Sequence, residues 1–202
     1  MTADDLSGLY GGGAARLDAA TLDAAGLDPR TRAWLADHGL PLRPDPAIPL
    51  VEFVPPRVRA DSGGSVLVIA REPWTEALWL GVRADGRVVT AGQDEPPVFI
   101  NRRIAHFLHF LAAFQRFQCA AGIADTGPRV YTQAEMQARL AAFRKGQGGF
   151  SPRQAPRTAA KPFDRPAALR RLEQAWRERD PDALARGAWW TRVLEQLRDG
   201  LL

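Results

Sequence analysis

Residues 65–117 read SVLVIAREPWTEALWLGVRADGRVVTAGQDEPPVFINRRIAHFLHFLAAFQRF, and the fold turns on how this stretch is read. Four short runs in it, 65–70, 77–82, 87–90 and 98–100, carry strand chemistry: β-branched and aromatic residues bounded by turn formers. The gaps between them are too short for the crossover of about a dozen residues that a parallel pair needs, so successive strands pair antiparallel. Asp85–Gly86 is the strongest hairpin signal in the chain. A helix is expected over 101–120, with Asn101 as its cap. Ile104, Phe107, Leu108, Leu111 and Phe114 share one face, widened by Phe110 and Phe117, and that face suits a helix lying across the sheet.

On the N-terminal side, 50–54 supplies a fifth strand. It follows a block, PLRPDPAIP (41–49), whose prolines exclude regular structure. Before the block, 28–37 reads as a helix with Asp28 as N-cap and Pro29 at its first position. Gly39 ends that helix in a left-handed conformation, and Leu40 folds back onto Leu35. On the C-terminal side, Thr132 and Glu135 form a capping-box pattern for a helix over 132–143. The segment 145–163 has no periodicity and reads as a flexible basic loop that folding does not need. Two helices close the chain. One starts near Pro166 with Leu169, Leu172 and Trp176 on a face, and one follows Asp180–Pro181 through Trp189 and Trp190 to Gly200. The expected fold is a single α+β domain over 1–202: a mostly antiparallel, five- or six-stranded sheet packed against N-terminal, central and C-terminal helices.

Composition narrows the function classes. Apolar residues at 46% and charged residues at 25% fit a globular core and argue against wholesale disorder. The single cysteine, Cys119, excludes an intramolecular disulfide and a thiol zinc cluster. The N-terminal MTADDLSG lacks a signal-peptide pattern, and 104–114 is too short to span a bilayer, so a reducing cytoplasm is expected. The net charge of +4 arises entirely in the last third, and nearly all the cations are arginine.

The fragments that resemble chemistry do not converge. The glycine run in LYGGGA (9–14) follows no strand and precedes no Lys–Ser/Thr, so it reads as a flexible joint rather than a phosphate cradle. His106 and His109 lie at i and i+3 without a third ligand, beside Arg102 and Arg116, and read as a solvated basic face. No serine sits in a nucleophile elbow. The acidic pairs Glu72/Glu76 and Asp94/Glu95 lie in proline-flanked turns, where solvation is the ordinary state. No enzyme activity, cofactor or metal is expected. Segment 144–171, with eight basic residues and one acidic residue, offers nucleic-acid binding as an alternative. It lacks a stacking platform or helix-turn-helix beside it.

The order of these motifs resembles the SUKH superfamily, and most closely its fourth subgroup. The residues that carry the resemblance are Gly39–Leu40–Pro41 closing a helix, the hydrophobic strand 66–70, 78–89 with its Gly86–Arg87–Val88, Asn101 before a long helix, and 180–197. Ile69–Ala70 stands where that subgroup has Ile-Gly, and Arg102–Arg103 where small hydroxyl residues are usual. The resemblance implies an immunity protein that covers and neutralises a toxin domain of a bacterial polymorphic toxin system. A SUKH-type adaptor or regulatory scaffold is the alternative within the binding class. The surface expected to meet the partner comprises the sheet turns and their neighbours: Glu72, Trp74, Glu76, Asp94, Glu95, Arg102 and Arg103, with Trp74 as anchor.

Overall fold

The computed structural model describes residue 6 and residues 8–61, 63–75, 78–92, 96–122 and 163–202. The expected helix over 132–143, and the expected loop up to residue 162, lie outside the described residues. Among those described, the architecture is α+β. A five-stranded antiparallel sheet runs in sequence order, β3 (Glu52–Asp61), β4 (Gly64–Arg71), β5 (Trp79–Arg83), β6 (Val88–Ala91) and β7 (Phe99–Asn101). A two-stranded ribbon pairs β1 (Ala14–Ala15) with β2 (Leu40–Pro41). The helices are α1 (Ala19–Ala24), α2 (Pro29–His38), α3 (Ile104–Ala120), α4 (Arg165–Arg179) and α5 (Trp189–Arg198), with a 3-10 turn over Pro181–Leu184.

Alternation splits the sheet into two faces. Leu67, Ile69, Leu80, Val82, Val88 and Ile100 join the main core with α3, α4 and α5. Val66, Val68, Val89 and Ala91 form a second cluster on the opposite face, with Val54 and Trp79 packed against it. The expected strand at 50–54 is in fact ten residues long and runs through Pro55 and Pro56. It can do so because β3 is an edge strand with a register break between Phe53 and Arg57, where missing donors cost least.

Capping chemistry sets α2. Asp28 Oδ1 accepts from the Arg30 and Thr31 amides at 3.0 and 3.1 Å. Gly39 ends the helix at φ 68°, ψ −163°, a region open essentially to glycine alone. A Cβ there would stand 2.5 Å from the Ala15 carbonyl oxygen, because Gly39 directly precedes β2, whose Leu40 pairs with Ala15. Leu35 and Leu40 are both buried in the main core.

Several expectations are corrected. Asn101 does not cap α3; it belongs to β7, is fully buried, and spends its amide on the C-terminal segment. The cap position falls to Arg103, which makes no side-chain cap bond. The last helix is two elements, the 3-10 turn and α5, separated at residues 185–188. The glycine run is not a joint. The Gly12 amide donates to the Arg43 carbonyl at 3.1 Å, and a Cβ on Gly12 would meet that oxygen at 2.5 Å. Its glycines serve close backbone approach.

Candidate functional site

The turn that joins β4 to β5 is closed by the Glu72 amide donating to the Leu78 carbonyl at 3.2 Å, and Trp74 stands near its tip. Pro73 takes the chain out of the strand, which leaves Trp74 58% exposed. The indole is nevertheless held. Trp74 Nε1 donates to Glu72 Oε2 at 3.2 Å, while Trp189 Nε1 donates to Glu72 Oε1 at 2.7 Å. Glu72 was expected to be an acidic docking group; both its oxygens are instead engaged in fixing two tryptophans.

Facing this turn is one side of α5. Trp189, Arg192, Val193 and Gln196 recur at helical spacing and form the wall of a cleft of about 100 Å³, with Glu72 and Trp74 opposite. Leu50, Trp189 and Val193 are buried and make its floor, whereas Trp74, Arg192 and Gln196 are exposed at its rim. An exposed aromatic and an arginine at the rim of a small cleft is a side-chain pairing enriched in protein-recognition sites.

The structure brings Glu72 and Trp74 together and places Arg102 and Arg103 elsewhere, at the start of α3. Glu76, Asp94 and Glu95 lie outside the described residues. Arg102 is exposed and paired with Asp182: its Nε donates to Asp182 Oδ2 at 2.9 Å and a second nitrogen reaches the same oxygen. Arg103 is exposed. Sequence reasoning missed Trp189, Arg192, Gln196 and Leu50. The i, i+3, i+7 spacing of Trp189, Arg192 and Gln196 was the available signal, but Trp189 reads as pure core when only its neighbour Trp190 is considered.

Trp189 and Trp190 tie the cleft to a buried polar lock. Their rings meet edge to face at 4.7 Å. Trp190 Nε1 donates to Asn101 Oδ1 at 2.8 Å, and Asn101 Nδ2 donates to Asp180 Oδ2 at 3.1 Å. The same carboxylate oxygen accepts from the Arg102 amide at 2.8 Å and approaches His106 Nδ1 at 3.4 Å. Asp180 is fully buried. Burial alone would push its carboxyl up, but hydrogen bonds from His106, the Arg102 amide and Asn101 outweigh it and hold the group below its usual range. His106 is therefore no solvated basic residue; it is part of the lock that joins β7 and α3 to α4 and the 3-10 turn.

Among the described residues, no group of three His, Cys, Asp or Glu side chains is placed to hold a metal ion, and no helix is long and apolar enough to cross a membrane. Of the basic segment 144–171, Arg165 is committed internally, donating to the Leu197 and Leu202 carbonyls at 2.9 and 2.8 Å.

Neither the curated proteins nor the solved structures contain a match to this chain. One family profile does match, over residues 1–196, and it spans the Gly39–Leu40–Pro41 helix stop, the five-stranded sheet, the buried Asn101 and the Trp189–Trp190 helix. With a match over that much of its length, the chain belongs to the SUKH-4 immunity protein family.

Proposed function

We propose that the protein is a cytoplasmic immunity protein that binds a toxin domain of a bacterial polymorphic toxin system and blocks it by steric cover, with no reaction of its own. The observation that carries this reading is Trp74, an exposed indole held in one orientation through Glu72 by a second, buried indole. Fixing the ring beforehand lowers the ordering entropy lost on binding. Arg192 beside it adds a cation at the rim, and tryptophan with arginine dominates binding hot spots.

The test uses the cognate toxin domain, to be sought among the products of the genes flanking this one. Trp74→Ala is expected to weaken its binding by about 2 kcal/mol or more, and Arg192→Ala by about 1 kcal/mol. The Arg102/Arg103 double alanine should act less strongly, because Arg102 is held by Asp182. Loss of less than about 1 kcal/mol for Trp74→Ala, in a variant with an unchanged unfolding midpoint, would remove the cleft from the interface.

A further inference from the structure

We infer that the open face of the sheet carries a second recognition surface, a pair of arginines held over one indole that binds carboxylates on the partner protein. This rests on the reading that the partner is a protein. It concerns a different face of the molecule from the Trp74 cleft.

Arg57 and Arg59 alternate onto the face of β3 that looks away from α3, opposite Val68 and Val66 of β4. Beneath them lies the second apolar cluster, Val66, Val68, Val89 and Ala91. Trp79 of β5 lies on the same face, and both guanidinium groups sit over its ring, Arg57 Cζ at 4.5 Å and Arg59 Cζ at 5.4 Å from the centroid. Both arginines are exposed, and neither makes an ion pair among the described residues. Their neighbour Arg71, paired across the sheet with Trp79, is by contrast occupied by Glu52, Nε to Oε2 at 2.9 Å. Among the described side chains, no carboxylate compensates these two adjacent cations.

The cation–π contact explains why this arrangement binds. A guanidinium held over an indole gains that contact while N–H groups remain available to an anion. The guanidinium fork matches the two oxygens of a carboxylate. The long side chain has already lost rotamer freedom to the ring, so less is lost when an anion arrives. Alternate residues on a strand stand about 7 Å apart, so the pair fits carboxylates presented at similar spacing on an acidic face.

The experiment titrates the intact chain into a fluorescein-labelled oligoglutamate peptide at low salt and follows anisotropy. An oligothymidylate of equal length is the second probe. Arg57→Ser/Arg59→Ser should weaken peptide binding about five-fold or more. Arg57→Lys/Arg59→Lys, which keeps both charges but loses the planar fork, should weaken it by at least about three-fold. Arg170→Ser/Arg171→Ser, which removes the same charge from α4, should change it by less than about two-fold. The proposal is overturned by no detectable peptide binding, by full affinity of the lysine variant, or by equal losses from both arginine pairs. Tighter binding of the oligothymidylate, lost with Arg57 and Arg59, would also overturn it and make the face a nucleic-acid surface. None of these outcomes touches the Trp74 test, which reads binding of the toxin domain.

Discussion

Trp176 and Trp190 form a natural controlled pair. Both are fully buried, their rings are 4.7 Å apart, and each lies 5.1 Å from Phe110. Replacing either with Phe removes the same atoms from the same cluster, a loss of about 1–2 kcal/mol in packing and cavity terms. Their N–H groups differ. Trp190 Nε1 donates to the buried Asn101 Oδ1, so Trp190→Phe strands an acceptor and costs a further ~1–3 kcal/mol. Among the described residues Trp176 Nε1 is buried without an acceptor, so Trp176→Phe deletes an unsatisfied donor and recovers about that amount. Trp190→Phe should therefore lose about 3 kcal/mol and Trp176→Phe about 0–1 kcal/mol. Urea unfolding followed by far-UV circular dichroism measures both without relying on the fluorophore removed, and equal m-values make the midpoints comparable. Equal losses at the two positions would refute the reasoning, because packing alone predicts equality.

Two further predictions follow from single positions. Gly39→Ala combines a backbone conformation foreign to side chains with a Cβ 2.5 Å from the Ala15 carbonyl, and should cost about 2–4 kcal/mol in thermal or urea unfolding; a loss below about 0.5 kcal/mol would mean that the α2–β2 junction relaxes freely. Asp180→Asn keeps the shape but turns an acceptor into a donor beside Arg102 Nε, and should lose about 1–2 kcal/mol at neutral pH. Because the folded Asp180 titrates below its ordinary 3.8, its contribution is complete above the unfolded value and is lost as pH falls through the folded one. The gap between wild type and Asp180→Asn should therefore hold from neutral pH down to about pH 5 and close under stronger acid; a gap that widens on acidification would contradict the lowered value.

Local chemistry was legible in the sequence and distant chemistry was not. Asp28, Pro29 and Gly39 set α2 through contacts within a few residues, so its ends could be read directly. The β5–β6 hairpin at Asp85–Gly86 was legible for the same reason. Pro55–Pro56 looked like the end of a strand because the sequence does not say which strand lies at an edge. Asn101 looked like a cap because asparagine favours that position, yet its partners Asp180 and Trp190 are 79 and 89 residues away. Glu72 failed in the same manner. A carboxylate in a turn reads as solvated until Trp189, 117 residues later, is found beside it. Trp74 was legible as exposed, because a proline that ends a strand leaves the next side chain outside the ladder.

The two proposed surfaces are joined by one hairpin. Arg71 and Trp79 are the cross-strand pair from which the turn carrying Glu72 and Trp74 extends. The base of that turn is thus the indole under Arg57 and Arg59, and its tip is the indole beside Arg192. A partner that engages both surfaces must straddle this hairpin, with an apolar pocket for Trp74 and carboxylates toward β3. The hairpin is fixed from below by Glu72 to Trp189, and α5 is fixed in turn by Trp190 to Asn101 and Asp180. Substitutions in the buried lock should then weaken binding only as far as they loosen α5, which sets them apart from Trp74→Ala, whose effect on binding should exceed its effect on stability. On the proposed reading, affinity at this surface depends on the C-terminal segment as much as on the sheet, because Trp189 holds the turn that carries Glu72 and Trp74.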